Sequence, residues 1–120
     1  MSLNEQQLKQ LQKAQSLSQQ LRLLEERKQL LDRRKLEIKE ALDELNKAKE
    51  RGEKEAYRFL GTSIMIKKNI DDIISELEEE LLLVNTQLEQ LEKQINIGKK
   101  ELETILQGLG FQSGGMSAGG

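Results

Sequence analysis

Apolar residues that step alternately by three and four positions along most of this chain constrain its fold more than any other feature. In the first half the steps fall on Ala14, Leu17, Leu21, Leu24, Lys28, Leu31, Lys35, Ile38, Leu42 and Leu45. In the second they fall on Ile70, Ile74, Leu77, Leu81, Val84, Leu88, Leu91, Ile95, Gly98, Leu102 and Ile105. An alternation held this long is the period of a supercoiled helix pair, and two such arrays on either side of a short segment of different character predict that the chain folds back on itself. The expected fold is mainly α: a long antiparallel coiled-coil hairpin of two helices joined by a single β-hairpin.

Composition agrees with a narrow seam. Aromatic residues make up 2% of the 120 residues and charged residues 33%, too little bulky apolar material for a thick core. There is no Pro to break a helix, and six of the nine Gly follow Gln107, so order is expected to end near Leu106 or Leu109. The chain has neither Cys nor His, which removes disulfides, thiolate metal sites and the usual zinc and general-base chemistry. No metal, cofactor or enzyme activity is expected. With no apolar run near the roughly 20 residues that cross a bilayer, and Glu5 and glutamines at the start, the expected setting is cytoplasmic, away from membranes. The charge is uneven: residues 1–50 carry 11 basic and 9 acidic side chains, residues 51–68 carry 5 and 2, and residues 69–120 carry 3 and 10. Opposite signs on the two arms favour their pairing, and the lack of a dominant basic face argues against nucleic acid.

Punctuation residues divide the chain into a body, residues 1–107, and a Gly-rich, flexible tail, residues 108–120. The first helix is predicted over about residues 5–51, ending before Gly52, the first residue able to cap it. The glutamines near its start alternate with Leu3, Leu8, Leu11 and Leu17 at helical spacing, which makes them a solvated helix face. Residues 56–68 then change character. The only Tyr, the β-branched residues and a central Gly-Thr predict two strands and a tight turn, with Tyr57 and Phe59 on one face of the first strand, Ile64 and Ile66 on one face of the second, and Gly61 at positive φ. A second helix is predicted over about residues 70–107, capped by Asn69, with Asp71 and Asp72 in its first turn and Asp72 at capping-box spacing.

Other clusters read as structural. Consecutive carboxylates at Glu78, Glu79 and Glu80, with Asp71, Asp72 and Glu76 nearby, point about 100° apart on a helix and do not converge on a cation, so they form a solvated acidic face. In Arg33-Arg34-Lys35 the last residue falls on the seam, where its aliphatic stem can lie while the ammonium reaches water. Gly61-Thr62 lacks the spaced glycines and the Lys-Ser/Thr pair of a phosphate loop. Gly98 among leucines is expected to weaken the second arm by about 1 kcal/mol relative to Ala and to let its last turns splay.

The segment Glu55-Ala56-Tyr57-Arg58-Phe59-Leu60-Gly61-Thr62-Ser63-Ile64-Met65-Ile66-Lys67-Lys68 resembles the Val-Tyr-Lys-x-x-Gly-x-x-Leu-Val-Lys pattern of the prefoldin family's β-type subunits. Ala56 stands for the usual Val and Arg58 for the usual Lys. Ala41 to Leu45 before it and Leu88 to Gln94 after it are also similar, although such stretches match many coiled coils. The resemblance implies a subunit of an ATP-independent holdase chaperone. Two α-type and four β-type subunits would form a hetero-hexamer through their hairpins, here Tyr57, Phe59, Leu60, Gly61, Ile64, Met65 and Ile66. Coiled-coil tips would hold unfolded proteins for a group II chaperonin. Carried onto this chain, the tips place Leu3, Leu8 and Leu11 beside Ile105, Leu106, Leu109 and Phe111. The residues alone support the same site, since arm ends whose leucines no third element covers present the exposed apolar surface that other chains bind. The alternative is a structural scaffold or tether with the same helices and no client.

Overall fold

The computed structural model describes residues 3–110, in the order α1 (Glu5–Glu50), β1 (Glu55–Leu60), β2 (Ile64–Asn69) and α2 (Ile70–Gly108). Residues 111–120 of the expected tail, Phe111 among them, lie outside the described residues.

Each boundary has a local cause. Asn4 opens α1 by accepting the Gln7 N–H at 2.7 Å, while the Gln7 side chain accepts the Asn4 N–H at 3.0 Å. This reciprocal cap satisfies two donors that would otherwise face the end of the helix unpaired. Gly52, at φ 88°, closes α1: its N–H donates to the Lys49 carbonyl at 3.0 Å and the Glu53 N–H to that of Ala48 at 3.1 Å, the paired bonds of a left-handed helix stop. Asn69 does two jobs. It is the last residue of β2, opposite Glu55, and its side chain accepts the Asp71 N–H at 2.8 Å to start α2. The bond reaches the second helical residue, where the capping-box spacing had pointed to the third, Asp72.

The strands are antiparallel and pair Glu55 with Asn69, Ala56 with Lys68, Tyr57 with Lys67, Arg58 with Ile66, Phe59 with Met65 and Leu60 with Ile64, and Gly61 turns the chain at φ 70°. Directly opposed residues share a face. One face therefore carries Ala56, Arg58, Leu60, Ile64, Ile66 and Lys68, and the other carries Tyr57, Phe59, Met65 and Lys67.

Packing falls into two units. In the first, comprising residues 3–29 and 89–110, the buried residues Ala14, Leu21, Ile95, Leu102 and Ile105 form a core with Leu17, Leu24, Leu106 and Leu109 against it. Lys13–Glu101 at 3.4 Å and Lys99–Glu25 at 3.3 Å bridge its two helical stretches along the flanks. Gly98 belongs to this core, and a Cβ built on it would stand 2.7 Å from Leu21 Cδ2 and 3.8 Å from Leu17 Cδ1. The glycine thus has a packing role that the expectation of a loose turn did not include. Gly98 is buried because two leucines of α1 fill the space a side chain would need.

In the second unit, residues 30–88, the buried residues Ile38, Ile73, Leu77, Val84 and Leu88 are joined by Leu31, Ala41, Leu42, Leu45, Leu81 and, from β1, Ala56. Ile73 is buried at 3% exposure, whereas Ile74, the position the alternation selected, is half-buried. Ala56 of β1 packs against the cluster that contains Ile73, so the core around this turn of α2 draws on the strands as well as on α1. Lys35 is half-buried, as a stem along the seam requires, while Ile38 is fully buried.

Candidate interaction surfaces

Both candidate surfaces arise where the chain leaves apolar side chains outside its cores. On the hairpin, Tyr57, Phe59, Leu60, Ile64 and Met65 are exposed by 51–65% and Ile66 by 39%. All of these belong to a sheet of only two strands, so each strand keeps one edge of N–H and C=O groups without a strand partner. A two-stranded ribbon is at best marginal alone in water, and unpaired edges are templates for another strand. The seven hairpin residues singled out from the sequence do lie together, but on two faces: Tyr57 and Phe59 join Met65, while Leu60, Ile64 and Ile66 lie opposite.

At the arm ends the expected residues separate by burial. Leu3 and Leu8 are 51% and 47% exposed, Leu11 is half-buried, and Leu106 and Leu109 pack against the first core. Ile105 is itself a member of that core, at 9% exposure. The free apolar surface at this end, among the described residues, is therefore concentrated at the start of α1. Further exposed leucines that the sequence reading passed over are Leu23, Leu30, Leu36, Leu82 and Leu83, with Ile97. They occupy outer helix positions off the 3-4 stripe, and that displacement from the stripe is the signal that could have found them.

The hairpin is held by charge as well as by Ala56. Glu76 and Glu80, one turn apart on α2, receive both strands. Arg58 of β1 donates to Glu76 Oε2 at 2.7 Å and lies 3.6 Å from Glu80 Oε2, and Lys68 of β2 donates to Glu76 Oε1. Arg34 of α1 completes the group, with Nε at 2.8 Å and Nη2 at 2.6 Å from Glu80 Oε1. Lys68, and after it Arg58, hold the Glu76 carboxyl below the ordinary carboxylate range against a smaller opposing effect of desolvation. Glu80 raises the Arg34 pKa further above its already high value. The sequence places both Glu76 and Glu80 in a solvated acidic face, whereas the structure pairs each of them with basic side chains. Their i, i+4 spacing does put both on one helix face, but only the strand register brings Arg58 and Lys68 to it. Among the described residues no group of three or more His, Cys, Asp or Glu is arranged to hold a metal ion, and no helix is long and apolar enough to cross a membrane.

Two long helices that pack through apolar stripes, joined by a single two-stranded antiparallel sheet with exposed apolar side chains, define a class of helical coiled-coil proteins. The sequence pattern of the family described as "Prefoldin subunit" matches residues 6–109, and the chain belongs to that family of chaperone subunits. Its fold is that of the prefoldin beta subunit from Thermococcus strain KS-1. That crystal structure superposes with a TM-score of 0.79 at 24% sequence identity, over 90% of this chain and 92% of the other. No curated protein matches the chain in sequence.

Proposed function

We propose that this chain is a β-type subunit of an ATP-independent holdase that works in the cytoplasm. In this reading the hairpin joins it to α-type subunits and to further β-type copies in a hetero-hexamer of two α and four β. The arm ends bind non-native polypeptide and deliver it to a group II chaperonin. The reading assigns the chain no chemical step, cofactor or metal. The observation that carries it is that each of the two packing units leaves an apolar surface bare: a two-stranded sheet with exposed side chains between α1 and α2, and Leu3 and Leu8 at the start of α1. Several such ends in one assembly would bind a client through many weak contacts, each buried leucine contributing up to roughly 1.5–3 kcal/mol.

The test is suppression of aggregation of a chemically denatured protein by the purified chain, alone and with an α-type partner, with and without ATP and magnesium. Suppression independent of nucleotide is expected. A requirement for ATP refutes the holdase reading, and assembly without any capture of the denatured protein favours the structural tether instead.

A further inference from the structure

The charged cluster beside the hairpin has a geometry that ordinary surface pairs lack. The two glutamates of α2 each engage partners through both carboxylate oxygens: Glu76 holds Lys68 on Oε1 and Arg58 on Oε2, and Glu80 holds Arg34 on Oε1 and faces Arg58 on Oε2. Arg58 is therefore the side chain that spans both carboxylates, meeting Glu76 with Nη1 and facing Glu80 with Nη2, a division of donors that a planar guanidinium fork holds in fixed geometry. The group is also partly shielded, with the Arg58 side chain 26% exposed, where pairs such as Lys47–Asp43 have side chains more than half exposed.

Its position matters because little else docks the strands. A lone ribbon of six-residue strands is marginal. Its large apolar side chains are exposed and contribute little burial, and Ala56 is the sole strand residue packed with the neighbouring core. Arg58 and Lys68 share a sheet face with Ala56, so their bonds turn that face toward α2 and leave Tyr57, Phe59 and Met65 facing away.

We propose that Arg58, through Glu76 and Glu80, is a positioning residue that holds the hairpin against α2 before assembly, so that the Tyr57, Phe59 and Met65 face is already presented when another subunit arrives. The purpose of this pre-organisation rests on the assembly reading above; the latch itself does not. A hairpin already docked saves the ordering that binding would otherwise require, and association is tighter and faster for it.

Amide hydrogen exchange of residues 55–69 in the full chain tests the latch. Glu76→Gln with Glu80→Gln is compared with Glu78→Gln with Glu79→Gln, which removes the same charge from exposed positions of the same helix. Hairpin exchange is expected to rise at least tenfold in the first variant and to stay within twofold in the second, with exchange in α1 unchanged in both. Arg58→Lys should fall between them, and added salt should speed exchange in the wild type but not in the Glu76/Glu80 variant. Hairpin exchange within twofold of wild type in the Glu76/Glu80 variant overturns the proposal, as does an equal rise in the control. Sedimentation with an α-type partner reads the second half. Undiminished association of the loosened variant overturns the role of presentation in assembly, whereas a wild-type chain that does not associate at all counts against the assembly reading and leaves the exchange comparison standing.

Discussion

Replacing Gly98 by Ala sets two effects of similar size against each other. In the interior of a helix the substitution should stabilise by about 1 kcal/mol, because Ala loses less backbone freedom on folding. Here the added Cβ would stand 2.7 Å from Leu21 Cδ2, closer than carbon atoms pack, and Leu21 is itself buried. Moving a buried leucine off its packed position costs roughly 1–3 kcal/mol. In the wild-type background Gly98→Ala should therefore be neutral to destabilising by up to about 2 kcal/mol, the difference of those two terms. Leu21→Ala alone should cost roughly 2–5 kcal/mol. In that background, however, the obstructing atoms are gone, and Gly98→Ala should stabilise by about 1 kcal/mol. The four proteins form a double-mutant cycle, read by urea unfolding followed by far-UV circular dichroism at one fixed protein concentration, since association would otherwise shift the midpoints. The expected coupling is about 1–3 kcal/mol, with the sign of the Gly98 effect reversing or vanishing between backgrounds. If Gly98→Ala stabilises by the same amount with and without Leu21, the residues are independent and the glycine is not needed for close approach of the helices.

Phe59→Asp with Ile64→Asp puts a carboxylate on each face of the hairpin, and should reduce the assembly to smaller species of nearly unchanged helicity; sedimentation as for the wild type would remove the hairpin as the interface. Leu3→Ser with Leu8→Ser should lower aggregation suppression while leaving oligomer size and thermal midpoint within error, because these two leucines lie outside the core. Wild-type suppression by that variant would move the client surface elsewhere along the arms. For pH, the folded state holds the Glu76 carboxyl below its unfolded value, so its contribution is fully present above the ordinary carboxylate range and is lost as pH falls through the lowered value. Fluorescence of Tyr57, the only tyrosine, should stay constant from neutral pH down to that range and change below it, and the Glu76→Gln variant should lack the change.

How much of this could be read from the sequence depended on whether the determinant was local. The 3-4 stripe is a property of each helix alone, and it located Ala14, Leu21, Ile38, Leu88 and Ile95 in the seam without knowledge of the partner. Gly52 and Gly61 were legible for a similar reason, since a positive φ is required at a single residue. Ile73, Gly98 and the Arg58 group were not. Each depends on what a distant segment brings to it: residues of α1 and β1 in the cluster that buries Ile73, Leu21 over Gly98, and two strands beside Glu76 and Glu80. Gly98 shows the difference most clearly, because intrinsic propensity marks it as a weak point of the helix, and only the position of Leu21 turns the missing side chain into a packing requirement.

The same distinction bears on which exposed leucines carry function. A leucine on the seam stripe that stays exposed, such as one beyond the last paired turn, has lost a partner it would have had in a longer coil. A leucine off the stripe, such as Leu36 or Leu82, never had one within the chain. Leu106 and Leu109 belong to neither group, because they still pack on the first core, and using them for a client would first require breaking those contacts. Leu3 and Leu8 carry no such cost among the described residues, and this is why substitutions there, rather than at Ile105 or Leu106, separate loss of client capture from loss of the coiled coil itself.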